Sequence, residues 1–158
     1  VNNCKFLSKT LRLAIGFLRI TIFMSSSDST PLSPPAENYD HIDWKAFDSL
    51  LDITEAWDEP QVMIDLLTQY EIESRKILAA AGRLGSETFL EMRKVLHKLK
   101  GSSGSMAFQE VVVRVRIIHD PLTPPPANMI PELLAEIDEA IEESLAAVRS
   151  RYPWLKAN

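Results

Sequence analysis

The feature that most constrains the fold is an apolar repeat of three to four residues, which runs through most of the chain after residue 41. Such spacing places apolar side chains along one face of a helix. Glycines number only 5, and most of the 10 prolines fall in two clusters, so long helices can form between them. We therefore predict an all-α protein. The repeat of the helix examined below consists of Phe89, Met92, Leu96, Leu99, Ser103 and Met106.

Residues that are favoured at helix ends separate these apolar stretches from one another. They are Asp43 and Ser86 as N-caps, Pro60 and Pro131 in first turns, and Gly82 and Gly85 as terminators. The positions of these helix-end residues predict a short helix over 43–51 and three longer helices, of which the last follows Pro131.

The segment 111–118 is the ambiguous one, because its β-branched residues and partial alternation are typical of a strand. A single strand without a partner would leave unpaired edges, so we predict a short helix here instead. The proline-rich segment that follows, 121–131, is predicted to be a loop.

Four helices with one apolar face each, joined by short loops, favour an antiparallel four-helix bundle over residues 41–155. The additional short N-terminal helix would cover one end. With a single exposed basic site, described below, we expect a monomer.

Residues 1–40 are excluded from this bundle and are predicted to form a disordered leader. Residues 1–23 are basic and interrupted, and three interpretations remain open for them: a mitochondrial-type targeting segment, a signal-like region, or translated sequence upstream of a start at Met24. We favour the third.

Charge and composition exclude several classes of function. The net charge of -5 argues against a general nucleic-acid binder, and no apolar stretch is long enough to span a membrane. A single cysteine, Cys4, permits no internal disulfide and no cysteine-based metal site, which fits a reducing compartment. No glycine-rich phosphate loop is present, so kinase activity is not supported and neither a cofactor nor a metal is expected.

One histidine stands apart on a helical wheel of ~100° per residue. His97 lies opposite the apolar repeat and faces solvent, beside Arg93, Lys94, Lys100, Gly101 and Gly104. A neutral imidazole is a competent nucleophile near neutral pH and can accept a phosphoryl group. Lys100 could neutralise the phosphoryl oxygens, and Gly101 would leave the ring accessible.

The same surface is predicted to contact a partner through Leu90, Arg93, Lys94, Lys98 and Gly104. We expect Leu90 to begin a small apolar patch shared with the second helix. A simpler interpretation treats His97 and its lysines as solvated surface residues. On that interpretation the chain is a helical adaptor or a structural bundle.

The run His97-Lys98-Leu99-Lys100-Gly101-Ser102-Ser103, followed by Gln109, resembles the signature of eukaryotic histidine-containing phosphotransfer proteins. A looser similarity to fungal and plant members extends over about residues 41–155. The resemblance implies a phosphocarrier with His97 as phosphoacceptor, Lys100 as charge partner, Gly101 as clearance residue and Gln109 as polar neighbour. It also implies cytoplasmic and possible nuclear localisation, with receiver domains of hybrid histidine kinases and response regulators as partners and Mg²⁺ held by the receiver.

The chain departs from this family's pattern at Met106-Ala107, where a glycine is usual at the second position. Alanine tolerates a positive φ less well than glycine. We therefore expect a differently shaped turn after the His97 helix, which bears on the placement of Gln109.

Overall fold

The computed structural model describes residues 41–55, 60–84, 88–121 and 125–155, and all regular structure among them is helical. The expectations for residues 1–40, Gly85 and Ser86 lie outside these ranges. The helices are α1 (Trp44–Glu55), α2 (Pro60–Leu84), α3 (Phe89–Ser105), α4 (Gln109–His119) and α5 (Ile130–Arg151), with 3₁₀ turns at Ala127–Met129 and Pro153–Leu155.

Helices α2, α3, α4 and α5 form the predicted bundle. Contacts join α2 to α3, α3 to α4, α4 to α5 and α5 back to α2, so the four enclose one apolar core. Between α2 and α3 the core contains one polar pair, in which the hydroxyls of Tyr70 and Ser103 lie 2.9 Å apart. The all-α bundle with an additional N-terminal helix is confirmed.

Helix α1 docks against the turn between α3 and α4. The Asp43 carboxylate accepts a hydrogen bond from the Ala46 N–H, which confirms the predicted cap, and the Asp43 N–H donates to the Ala107 carbonyl at 2.9 Å. Phe47 is fully buried, with its ring stacked on Phe108. These contacts fix the end of the bundle at which α3 turns into α4.

Helix α4 confirms that packing overrides the strand preference of its β-branched residues. Val111, Val115 and Ile118 lie at helical spacing and are fully buried. Burying each such side chain contributes roughly 1.5–3 kcal/mol, more than the fraction of a kcal/mol lost in helix propensity. Beside this buried face, the partly buried Arg114 donates to Glu110 and to Glu136 of α5.

The turn after α3 differs from the expectation based on Ala107. Ala107 adopts a φ of 61°, the left-handed conformation usual for glycine at this place. The Phe108 N–H donates to the Ser103 carbonyl and the Ala107 N–H to the Gly104 carbonyl, the bond pattern of a Schellman motif. The turn keeps this shape although a left-handed alanine costs about 1–2 kcal/mol.

Three boundaries differ from those predicted. Helix α1 continues past residue 51, and α2 runs through Gly82, since a single glycine within a helix costs only about 1 kcal/mol. The segment 121–131 is only partly a loop, since a 3₁₀ turn and the start of α5 at Ile130 fall within it. Within the described ranges, none of the helices combines the length and the apolar character needed to cross a membrane.

Candidate functional site

Helix α3 separates a buried face from an exposed face that carries His97, as the wheel predicted. Met92, Leu96 and Leu99 are fully buried, whereas His97 is exposed. At Gly101, one turn further on, an added Cβ would meet no atom within 4 Å. The space beside the His97 ring is therefore open.

The His97 ring contacts a second histidine at the end of α4. His97 Nδ1 lies 3.2 Å from His119 Nε2, and the two ring centroids are 5.2 Å apart. Among the described residues, His97 Nε2 has no hydrogen-bond partner. The contact thus leaves one nitrogen of His97 directed away from the cluster.

Asp120 and Lys100 complete the cluster on the far side of His119. Asp120 Oδ1 lies 2.6 Å from His119 Nδ1 and 3.1 Å from Lys100 Nζ, and Lys100 Nζ lies 3.2 Å from His119 Nδ1. Burial favours a higher pKa for Asp120, but the hydrogen bonds from His119 and Lys100 outweigh it and lower that pKa. Asp120 is therefore a carboxylate at neutral pH.

The other basic residues predicted for this surface have different surroundings. Arg93 Nε donates to the backbone carbonyl of His119 at 2.6 Å and so secures the end of α4. Lys94 pairs with Glu91 at 2.7 Å, and Lys98 is exposed. Arg93 is the member of this set that ties α3 to the histidine cluster.

Gly104 is only partly exposed and lies next to α4. An added Cβ there would be 3.9 Å from Val112 Cγ2. The wheel placed Gly104 beside His97 correctly in angle, but it could not show that α4 covers this part of the helix.

Leu90 is 63% exposed, and the apolar patch expected to extend from it onto the second helix stays a prediction. Ile72 is the large apolar residue that α2 exposes within the described ranges. The Tyr70–Ser103 contact sets the register of α2 against α3, and it places Ile72 near the level of Gly101, about 16 Å from Leu90 along the helix axis.

Gln109 is not the polar neighbour of His97. It begins α4, whereas His119 ends it, and the two lie about 15 Å apart along that helix. Because α3 and α4 run antiparallel, the residue opposite His97 lies about as far beyond the Ala107 turn as His97 lies before it. Counting the same number of residues on the other side of Ala107 leads to the end of α4, close to His119 and Asp120. The sequence analysis did not use this antiparallel pairing and so missed both residues.

The fold and this exposed histidine define a class, the small helical bundles that carry phosphoryl groups on histidine. A family model described as the Hpt domain matches residues 65–150, which is more than half of the chain. The chain belongs to the Hpt domain family, which implies a histidine phosphotransfer role in a phosphorelay and interaction with receiver domains. Searches of curated proteins and of solved structures found no significant match.

Within the described residues, no group of three or more histidine, cysteine, aspartate or glutamate side chains could hold a metal ion.

Proposed function

We propose that the chain relays a phosphoryl group between the aspartates of two receiver domains through phospho-His97. This proposal rests on the difference in accessibility between His97 and His119, the two histidines within the residues that the family model matches. The His119 side chain is only 14% exposed and both of its ring nitrogens have partners, whereas His97 is exposed with Nε2 unengaged among the described residues. A nucleophile needs a free lone pair that the phosphorus atom can reach, which favours His97.

The transfer reaction requires few chemical groups from the carrier. Phosphoryl transfer depends mainly on positioning and on stabilising negative charge. Nε2 of His97 would attack the aspartyl phosphate of a receiver, and Lys100 and Arg93, which contact His119, would add positive charge to the same surface. Mg²⁺ would belong to the receiver, and the carrier itself would consume no ATP.

The signature from His97 to Ser103 supports a carrier of the fungal and plant type. Such a carrier would act between the receiver domain of a hybrid histidine kinase and that of a response regulator. We further propose that the domain is monomeric and acts in the cytoplasm, with access to the nucleus.

Transfer from a radiolabelled phospho-receiver in the presence of Mg²⁺ tests this function. The protein should acquire label that is labile in acid and stable in alkali, as expected for a phosphoramidate bond. His97→Gln should abolish the label. His41→Gln is the matched control, because His41 is exposed and lies outside the cluster, and this variant should be labelled like the wild type.

Two results would contradict the proposal. Label that persists in His97→Gln would place the phosphoryl group elsewhere. An unlabelled wild-type protein that still binds the receiver would favour the alternative of a non-phosphorylated adaptor.

A further inference from the structure

The contacts around His119 determine where its protons lie. Asp120 Oδ1 and His119 Nδ1 are 2.6 Å apart, and a carboxylate oxygen can approach a ring nitrogen this closely only when that nitrogen carries hydrogen. His119 Nδ1 is therefore the donor to Asp120. Lys100 Nζ, itself only a donor, also directs a hydrogen bond to Asp120 and not to His119.

When His119 is neutral, this assignment also determines the tautomer of His97. With its proton on Nδ1, neutral His119 presents a lone pair on Nε2, the atom 3.2 Å from His97 Nδ1. His97 must then donate from Nδ1, which leaves the lone pair of His97 on Nε2. Asp120, His119 and His97 thus form a chain of hydrogen bonds that ends at an exposed nucleophilic nitrogen.

We propose that His119 is a positioning residue that holds His97 in its Nε2-nucleophilic tautomer and takes up the Nδ1 proton when His97 is phosphorylated. This inference rests on the proposed function. In the forward step the Nε2 lone pair forms the N–P bond, and the P–O bond breaks with its electron pair on the leaving aspartate. The Nδ1 proton moves to His119 Nε2, which gives a neutral phosphoimidazole beside an imidazolium paired with Asp120.

The reverse step returns that proton. When His119 gives the proton back to His97 Nδ1, the N–P bond can break to release a neutral imidazole. Without the proton the leaving group would be an imidazolate anion, which is a far stronger base and a poor leaving group. His119 would therefore assist transfer in both directions and consume nothing.

The charges near His119 couple its protonation to phosphorylation. His97, Lys100 and Arg93 face it from α3, and Arg116 and Asp120 adjoin it on α4; Arg116 Nε lies 3.7 Å from Asp120. A phosphoryl group adds a charge of about -2 nearby and favours the imidazolium.

Nitrogen-15 NMR of histidine-labelled protein tests the tautomer without any receiver. The wild type should show His97 protonated on Nδ1 at pH 8. His119→Gln should keep this tautomer, because the amide oxygen can accept the same hydrogen bond but cannot take the proton. His119→Ala should give a mixture of tautomers.

The same spectra after phosphorylation test the uptake of the proton. Phosphoramidate, a small phosphoryl donor, would phosphorylate the protein directly, and His119 should then carry hydrogen on both nitrogens at pH 8. A neutral His119 beside a phospho-His97 that keeps its Nδ1 proton would overturn the proposal, as would an Nε2-protonated His97 in the free wild type.

The pH dependence of transfer from phospho-His97 to a receiver provides a kinetic test. His119→Gln should be slower than the wild type by about 10²-fold at pH 8, the low end of general acid–base effects. The two should converge near pH 6, where solvent supplies the proton. A constant ratio between pH 6 and pH 8 would indicate a purely structural role and overturn the proposal.

Failure of the proposed function gives a different result. If His97 is not the phosphoacceptor, His97→Gln keeps its label while the tautomer spectra of the free protein still report on His119. If His97 accepts phosphate but His119 plays no part, labelling is normal and the spectra and pH profile lack the expected signatures.

Discussion

Substitutions at Gly101 should separate stability from phosphotransfer. Glycine within a helix costs about 1 kcal/mol relative to alanine, and a Cβ at Gly101 would meet no atom within 4 Å. Gly101→Ala should therefore raise the free energy of unfolding by about 1 kcal/mol. For a domain of about 115 residues this corresponds to a Tm increase of about 4 °C.

Gly101→Gln should gain about 0.6 kcal/mol, because glutamine is also a good helix former. Its side chain projects one turn from His97 on the same face, where it would obstruct an approaching receiver. We expect phosphotransfer to slow by at least about tenfold, since small displacements from reactive geometry reduce rates strongly. Urea unfolding and the rate of label transfer from a phospho-receiver measure the two effects.

Gly82→Ala is the matched control. Gly82 is exposed within α2, and an added Cβ would make an ordinary contact 4.0 Å from Leu134 Cδ1. It should give a similar gain in stability and leave the transfer rate unchanged. Wild-type transfer by Gly101→Gln would refute the clearance role, and destabilisation by Gly101→Ala would refute the open surroundings of this residue.

Three further predictions concern the core and the surface. Tyr70→Phe and Ser103→Ala should each destabilise the fold by about 1–3 kcal/mol, because each leaves a buried hydroxyl unpaired. The double variant should lose less stability than the sum of the two single variants. Urea unfolding in a double-mutant cycle measures this difference, and strict additivity would refute the pairing. Burial raises the pKa of Tyr70, so the contribution of its neutral hydroxyl to the free energy of unfolding is complete below about pH 10 and is lost at higher pH. Tyr70→Phe should not show this loss of stability. Leu90→Ala should slow transfer from a phospho-receiver with unfolding unchanged within about 0.5 kcal/mol, because Leu90 is 63% exposed, and an unaltered transfer rate would remove Leu90 from the docking surface.

The bundle could be predicted because its signals are local. The apolar repeat, the Asp43 cap and the first-turn prolines each act within a few residues. Even the strand-like α4 was predictable, since an isolated strand has no partner. The exposure of His97 follows from the same periodicity, because a residue opposite the apolar repeat faces solvent.

The surroundings of His97 depend on the pairing of α3 with α4, which local patterns do not show. The wheel placed Gly104 on the His97 face but could not show that Val112 covers it. Gln109 was placed by resemblance to a motif, whereas the antiparallel register brings His119 to His97. The register is set by the turn at Ala107, where buried packing outweighs the cost of a positive φ.

Peptide mapping by mass spectrometry under alkaline conditions tests the central claim most directly. The protein would be phosphorylated by a phospho-receiver, digested and fragmented to locate the modified residue. We predict a single phosphoryl group on His97 and none on His119 or His41. A phosphoryl group on His119, or a protein that remains unmodified by a receiver it binds, would contradict the account.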